Sequence, residues 1–226
     1  DMHQDFPKPL VPRWHRYEVP ERMRADGVVH TELDEDAVRR VGQEIAGEGI
    51  DCVAVCFLHS HAFPGHEERA AALLREILGD DTSVMTSSAV YPEFREYERF
   101  STAAMNAFVG PRSSHYLRNL ETALRETGIT GEIRVMQSNG GVTTIDGASK
   151  RPVTILMSGP AGGVMGGKWA GKMSDEPNII TVDIGGTSAD ISVIPDGSVR
   201  IMNPRDTQVG GYPVLVPMID LSAIGA

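Results

Sequence analysis

The stretch IITVDIGGTSADISVI, residues 179–194, decides how the rest of the chain is read. Two β-branched runs flank Gly185, Gly186, Thr187 and Ser188, with Asp183 before the turn and Asp190 after it. The pattern predicts strand, tight turn, strand. Two chemistries fit it. In one, the glycines let backbone amides approach phosphate oxygens, and the Thr187 and Ser188 hydroxyls add donors. Asp183 at the strand end then suits Mg²⁺, held through water, because magnesium prefers oxygen ligands and keeps part of its shell. In the other, the turn is a plain hairpin whose glycines supply positive φ.

Working outward, SGPAGGVMGGKWAG at 158–171 predicts a small-residue helix reaching about Met173. Ser158 suits a cap and Pro160 a first helical turn. Each Gly in a helix costs about 1 kcal/mol against Ala, so this run needs a reason. Tight packing is one; a hinge beside a nucleotide cleft, its amide end facing an anion, is the other. Ser158, Gly159, Gly162 and Gly163 are the residues concerned. The polar linker 174–178 that follows is the candidate domain boundary, and 199–202 is expected to add a third strand after the turn at 195–197.

The bulk numbers narrow the class. At 226 residues and 41% hydrophobic, the chain can bury a sizeable core. A net charge of −10 argues against nucleic acid or an anionic membrane as partner, while leaving room for local anion sites built from backbone amides. No run approaches a membrane span and no basic-then-apolar leader is visible. Cys52 and Cys56 lie in one apolar run and are expected to be buried, reduced thiols, which favours a cytoplasmic setting. The chain opens at Asp1 and closes at Ala226, and both ends read as cut, so a piece of a longer polypeptide is expected.

Upstream, periodicity predicts an extended Pro-rich start with a short strand within 15–23, then a helix over 36–48 capped by Asp34. A buried strand over 50–58, a helix over 66–78 and a short strand over 84–87 complete a strand–helix–strand unit of a layered α/β fold. A long helix over 100–127 contains Pro111, and strands are expected at 132–137 and 153–157. His59, His61, His66 and Glu67 suggest a metal, but their spacing fits no common template, and His66 and Glu67 read better as a helix start. REYER at 95–99 is either a solvated helix face or a gripping site for carboxylate or phosphate, through Arg95, Glu96 and Arg99. QSNGG at 137–141, with Gln137, Asn139 and Gly140, stands at a strand end, where α/β proteins place ligand contacts.

Taken in order, CFLHSHAFPGHE, YPEFREYERFSTAAMNAFV, MQSNGGV, PVTILMSGPAGGVMGG, IITVDIGGTSADISVI and GYPVLVPMIDLSAIGA resemble the hydantoinase A/5-oxoprolinase family. They cover most of the chain from Ile50 onwards. The resemblance implies an α/β fragment of the two-domain actin-like, ribonuclease-H-like ATPase fold, with mixed sheets flanked by helices. Residues 1–174 would belong to the first domain with its connecting helix, and 175–226 would open the second. It implies ATP and Mg²⁺ as cofactors, and ATP-driven opening of cyclic amides such as hydantoins or 5-oxoproline, by phosphorylation of the amide oxygen. A small cyclic amide and a hydantoinase B-type partner subunit are the implied partners. Relatives in this family serve instead as subunits of acetone- or acetophenone-type carboxylases, and a non-catalytic ATP-sensing module is a third reading. By the same resemblance, Asp183, Gly185, Gly186, Thr187 and Ser188 form the second phosphate loop, with Asp183 toward Mg²⁺. Ser158–Gly163 line the hinge. Chaperone ATPases place a catalytic Glu where this chain has Gly159, so Asp190 is the substitute candidate. The first phosphate loop and the adenosine segment are not among these residues, so this stretch alone is expected not to turn over ATP.

Overall fold

Asp34 caps the first helix as its position predicts, and from there the chain alternates strands and helices in a mixed α/β arrangement. The computed structural model describes residues 8–186, 188–204 and 206–225. It divides into two compact units, residues 1–112 with 208–215 and residues 113–207 with 216–226.

The first unit begins with an antiparallel hairpin, β1 (Arg22–Met23) and β2 (Val29–Thr31), whose register slips between Arg22 and Met23. Helix α1 (Glu35–Ala46) follows, with Asp34 Oδ1 accepting from the Ala37 N–H at 2.8 Å. Strand β3 (Cys52–Val55), helix α2 (Gly65–Leu78) and strand β4 (Ser83–Thr86) form the expected unit, the two strands pairing in parallel. Its core is Val38, Val55, Ala70, Ala71, Leu73, Leu74 and Val84. After α3 (Ser87–Val90), helix α4 (Glu96–Glu126) runs through Pro111.

Strand β3 is shorter than the apolar run predicts, and a buried polar network explains why. The Phe57 N–H donates to Glu67 Oε1 at 2.8 Å, and its carbonyl accepts from Arg99 Nη2 at 2.9 Å, so neither is free to extend a ladder. Glu67 and Arg99 are both fully buried. Ser87 Oγ links them, donating to Glu67 at 2.7 Å and accepting from Arg99 Nε at 3.1 Å. The backbone N–H and hydroxyl of Ser88 satisfy the second Glu67 oxygen, and the Glu93 carbonyl takes another Arg99 donor. Every charge is met by directed hydrogen bonds, the condition under which buried charge is tolerated.

In the second unit, β5 (Arg134–Met136) and β6 (Val142–Thr144) form a hairpin, and Thr144 caps α5 (Ile145–Lys150). Residues 153–157 are not a strand: a 3-10 turn occupies Pro152–Ile155, since Pro152 has no N–H to give a ladder. Helix α6 (Ser158–Met173) leads into β7 (Ile179–Ile184) and β8 (Ser188–Ile194). A small hairpin, β9 (Gln208–Val209) with β10 (Tyr212–Pro213), belongs to the first unit. Strand β11 (Ser222–Gly225) then pairs antiparallel with β8, giving the order β11-β8-β7. The third strand is therefore β11, not 199–202. There, Ile201 makes only a single bridge, to Ile219, and Pro204 stops further pairing. Alternation sends Ile179, Thr181 and Asp183 of β7 to one face, and Ile180, Val182 and Ile184 to the other, where they are 67%, 55% and 74% exposed.

Two outcomes follow. Glu67→Ala strands the Phe57 and Ser88 N–H groups and should lower unfolding free energy by about 3 kcal/mol or more, read by denaturant titration. Both cysteines are free, and burial pushes both thiols up, Cys52 to about 11. At pH 8 about one Cys52 in a thousand is thiolate. Iodoacetamide should therefore label both far more slowly than unfolded chain; rapid native labelling would contradict the placement.

Candidate functional site

The glycines of α6 fall into two sets with different physical reasons. A Cβ on Gly167 would clash with the Thr181 side chain, and one on Gly171 with Ile179 and the Glu176 carbonyl. These two, four residues apart, are where the helix backbone presses on the inner face of β7. Gly159, Gly162 and Gly166 face open space, and a Cβ on Gly163 would stand 3.5 Å from Asp183 Oδ2. Packing thus accounts for Gly167 and Gly171 and not for the glycines before them.

The start of α6 is held from outside. Ser158 does not cap it: the N-cap is Met157, without a side-chain cap, and the Met157 N–H donates to Ser138 Oγ at 3.0 Å. Ser138 is fully buried. Its own N–H donates to the Thr154 carbonyl and its carbonyl accepts from Ile219, both at 2.8 Å. Gly140, at φ +80°, lies against Met165 and Ile219. QSNGG is therefore a clamp on α6. Gln137 and Asn139 close its turn: the Gln137 N–H donates to Gly141 O, and Asn139 Oδ1 accepts from the Gly141 N–H. Ser138 is the residue that sequence reasoning missed, although it sits in the middle of the motif singled out.

Against the clamped helix, β7 and β8 place Asp183 directly opposite Asp190. Like charges at facing strand positions repel. Neither carboxylate has a hydrogen-bond or ion-pair partner among the described residues, and none of these residues cluster in the three-acid or histidine sets that hold a metal unaided. Pro160, Gly163, Val164, Thr181, Asp183 and Asp190 line a cavity of about 290 Å³. Magnesium bound by one or two carboxylates, with water and phosphate completing its shell, matches this donor set. In the turn, the Gly185 N–H donates to the Ser188 carbonyl at 2.9 Å. Neither Gly185 nor Gly186 has positive φ, and a Cβ on Gly186 would meet nothing. The hairpin forms, but these two glycines do not supply positive φ to it. Thr187 lies outside the described residues.

The structure thus brings Gly163, Asp183 and Asp190 to one cavity, with Gly185, Gly186 and Ser188 on the adjoining turn and Ser158, Gly159 and Gly162 on the adjoining helix. Arg95, Glu96 and Arg99 belong to the first unit. Arg95, at φ +83°, pairs with Glu98 at 3.0 Å, Glu96 opens α4, and Arg99 is the buried network residue whose donors are met by Ser87, Glu93 and Phe57. The histidines form no metal cluster among the described residues.

Residues 99–226 match the family model described as hydantoinase/oxoprolinase, and residues 1–78 match the model of the hydantoinase/oxoprolinase N-terminal region. An uncharacterized protein of Methanocaldococcus jannaschii is 36% identical over all of this chain and 35% of its own length. Among solved structures, nucleotide-free acetone carboxylase, described by its mechanism of ATP-dependent acetone carboxylation, superposes with a TM-score of 0.89 at 29% identity, over 98% of this chain and 31% of its own. ATP-dependent caprolactamase from Pseudomonas jessenii superposes with a TM-score of 0.86 at 33% identity, over 100% and 32%. The chain spans about a third of the length of these relatives.

The two glycine sets predict opposite responses. Gly171→Ala should destabilise by about 1–3 kcal/mol through overpacking, whereas Gly162→Ala should stabilise by up to about 1 kcal/mol. Thermal unfolding of the two variants decides it, and equal destabilisation would remove the distinction.

Proposed function

The chain belongs to the hydantoinase/oxoprolinase family, and from that premise we propose that it carries half of a Mg-ATP site in an enzyme that opens cyclic amides. One observation carries the reading: Asp183 and Asp190 face each other beside a cavity that Gly163 also lines, with no basic side chain paired to either among the described residues. The amide of Gly186 and the hydroxyl of Ser188 would receive phosphate oxygens, joined by Thr187, with Gly185, its own N–H closing the turn on Ser188, leaving room for their approach. The first N–H groups of α6, at Ser158 and Gly159, add the positive end of a helix, with Gly162 and Gly163 leaving the backbone open to approach. Asp183 would hold Mg²⁺ through water, with Asp190 beside it as the acid available to take a proton.

Bound Mg-ATP would supply the phosphoryl group that converts an amide oxygen into a better leaving group. This chain's part is to fix the phosphates and the metal relative to the clamped helix, since phosphoryl transfer is mostly positioning and charge stabilisation. In this reading residues 1–174 belong to the first domain of an actin-like ATPase fold and 175–226 open the second. A hydantoinase B-type subunit completes the enzyme, in the cytoplasm. Among the described residues, no helix is long and apolar enough to cross a membrane.

The likeness to acetone carboxylase favours a second reading, the same site serving a carboxylase subunit that phosphorylates an enolate oxygen. Assays of the complete enzyme separate the two: lactam- or hydantoin-stimulated ATP hydrolysis against bicarbonate-dependent ATP use with a ketone. Asp183→Ala in the full-length protein should weaken Mg-ATP binding about 10- to 100-fold and abolish turnover under either reading. Unchanged affinity, measured by calorimetry, would refute the site.

A further inference from the structure

The first unit holds a second cavity, of about 310 Å³, lined by Arg22, Met23, Arg24, Ala25, Asp26 and His59. Its walls are built rather than incidental. One is the β1–β2 hairpin, seated on the loop after β3 and tied by the residue before it to the start of α2. Gly27, at φ +83°, lies so close to Phe63 that a Cβ there would stand 2.7 Å from the ring. Glu21 Oε2 meets His66 Nδ1 at 2.8 Å, with both side chains largely shielded from solvent.

The other wall is His59, held at φ +59°, a left-handed conformation a non-glycine residue adopts at a cost. Its carbonyl accepts from the Ala62 and Phe63 N–H groups at 3.1 and 3.0 Å. The loop beneath it is fixed by Ser60 Oγ on the Phe57 carbonyl and by the Glu67–Arg99 network. On the opposite wall, the register slip between Arg22 and Met23 re-aims the side chains of β1.

The chemistry of the lining is lopsided. Arg24 is paired with Asp26 at 3.2 Å, which accounts for the only acid in the cavity. Arg22 has no acidic partner among the described residues, and His59 adds ring nitrogens, while Met23 supplies an apolar floor. An unpaired guanidinium offers a planar fork of donors that matches a carboxylate. The volume is at the lower end of ligand pockets, which suits a small molecule. We propose that this cleft between the β1–β2 hairpin and the His59 loop binds a small carboxylate, with Arg22 as its principal contact and His59 beside it.

The test uses the full-length protein without nucleotide, so that it reports on this cleft independently of the phosphate site. Phenylglyoxal modification of Arg22 is followed by peptide mass spectrometry, with exposed Arg40 as internal reference, in rising 5-oxoproline or 2-pyrrolidinone, the same ring without its carboxylate. Expected is saturable protection of Arg22, and not of Arg40, by 5-oxoproline, with no protection by 2-pyrrolidinone or by sodium chloride at equal ionic strength. His59→Gln should shift the half-protection concentration upward, and calorimetric affinity for 5-oxoproline should fall about tenfold in Arg22→Ala with unfolding unchanged. The proposal is overturned if the neutral ring or chloride protects equally, or if Arg22→Ala binds as well as the parent. It is also overturned if Arg22 is unreactive throughout because another part of the protein covers it.

Discussion

Two carboxylates placed face to face across paired strands are the constraint on which the second unit turns. Asp183 and Asp190 are directly paired in register, and neither has a hydrogen-bond or ion-pair partner among the described residues. Their neighbourhood is otherwise arranged to be accurate: α6 approaches β7 to backbone distance at Gly167 and Gly171, and Ser138 pins the start of the helix. The proposed site thus joins two unpartnered acids to surroundings that are held firmly in place. The glycines at the open end of α6 belong to the same logic, giving up helix propensity where no protein atom needs the room.

The first unit solves a different problem, how to keep irregular loops rigid. Glu67 and Arg99 lie too deep to meet solvent, so each of their polar atoms is directed at a backbone or hydroxyl group of a neighbouring loop. The cost of burying two charges is offset by the hydrogen bonds, and the loops gain defined shapes in return. His59 and Arg95 hold positive φ in loops tied down by this network. Strained positions of this kind persist only where surrounding structure over-determines them.

Much of this was legible from residue order. The strand–helix–strand unit, the Asp34 cap and the hairpin at 179–194 followed from periodicity and capping chemistry, because those signals are local. The grouping of Asp183 and Asp190 was also local, seven residues apart around a tight turn. What escaped was long-range. Ser138 holds the residue just before a helix that starts twenty residues later, and Ser158, which looked like the cap, does not cap it. Glu67 does stand in the first turn of α2, as expected, but its partners at Phe57, Ser87 and Ser88 come from two other segments. Val153 to Met157 had strand-like composition, but Pro152 turned the backbone into a tight helical turn. Strand β11 was missed because it pairs across thirty residues of Pro- and Gly-broken chain.

Strand β7 stands at the edge of its sheet, and Ile180, Val182 and Ile184 line its outer face in the open. An uncovered row of N–H and carbonyl groups beside bare aliphatic side chains is a template for any extended chain that drifts past. The hairpin that presents the two carboxylates thus also carries an edge open to pairing among the described residues. Negative charge on Asp183 and Asp190, and on their counterparts in a second copy, opposes strand-to-strand stacking there. A cation that neutralised Asp183 and Asp190 without covering the edge would therefore weaken the guard against self-association.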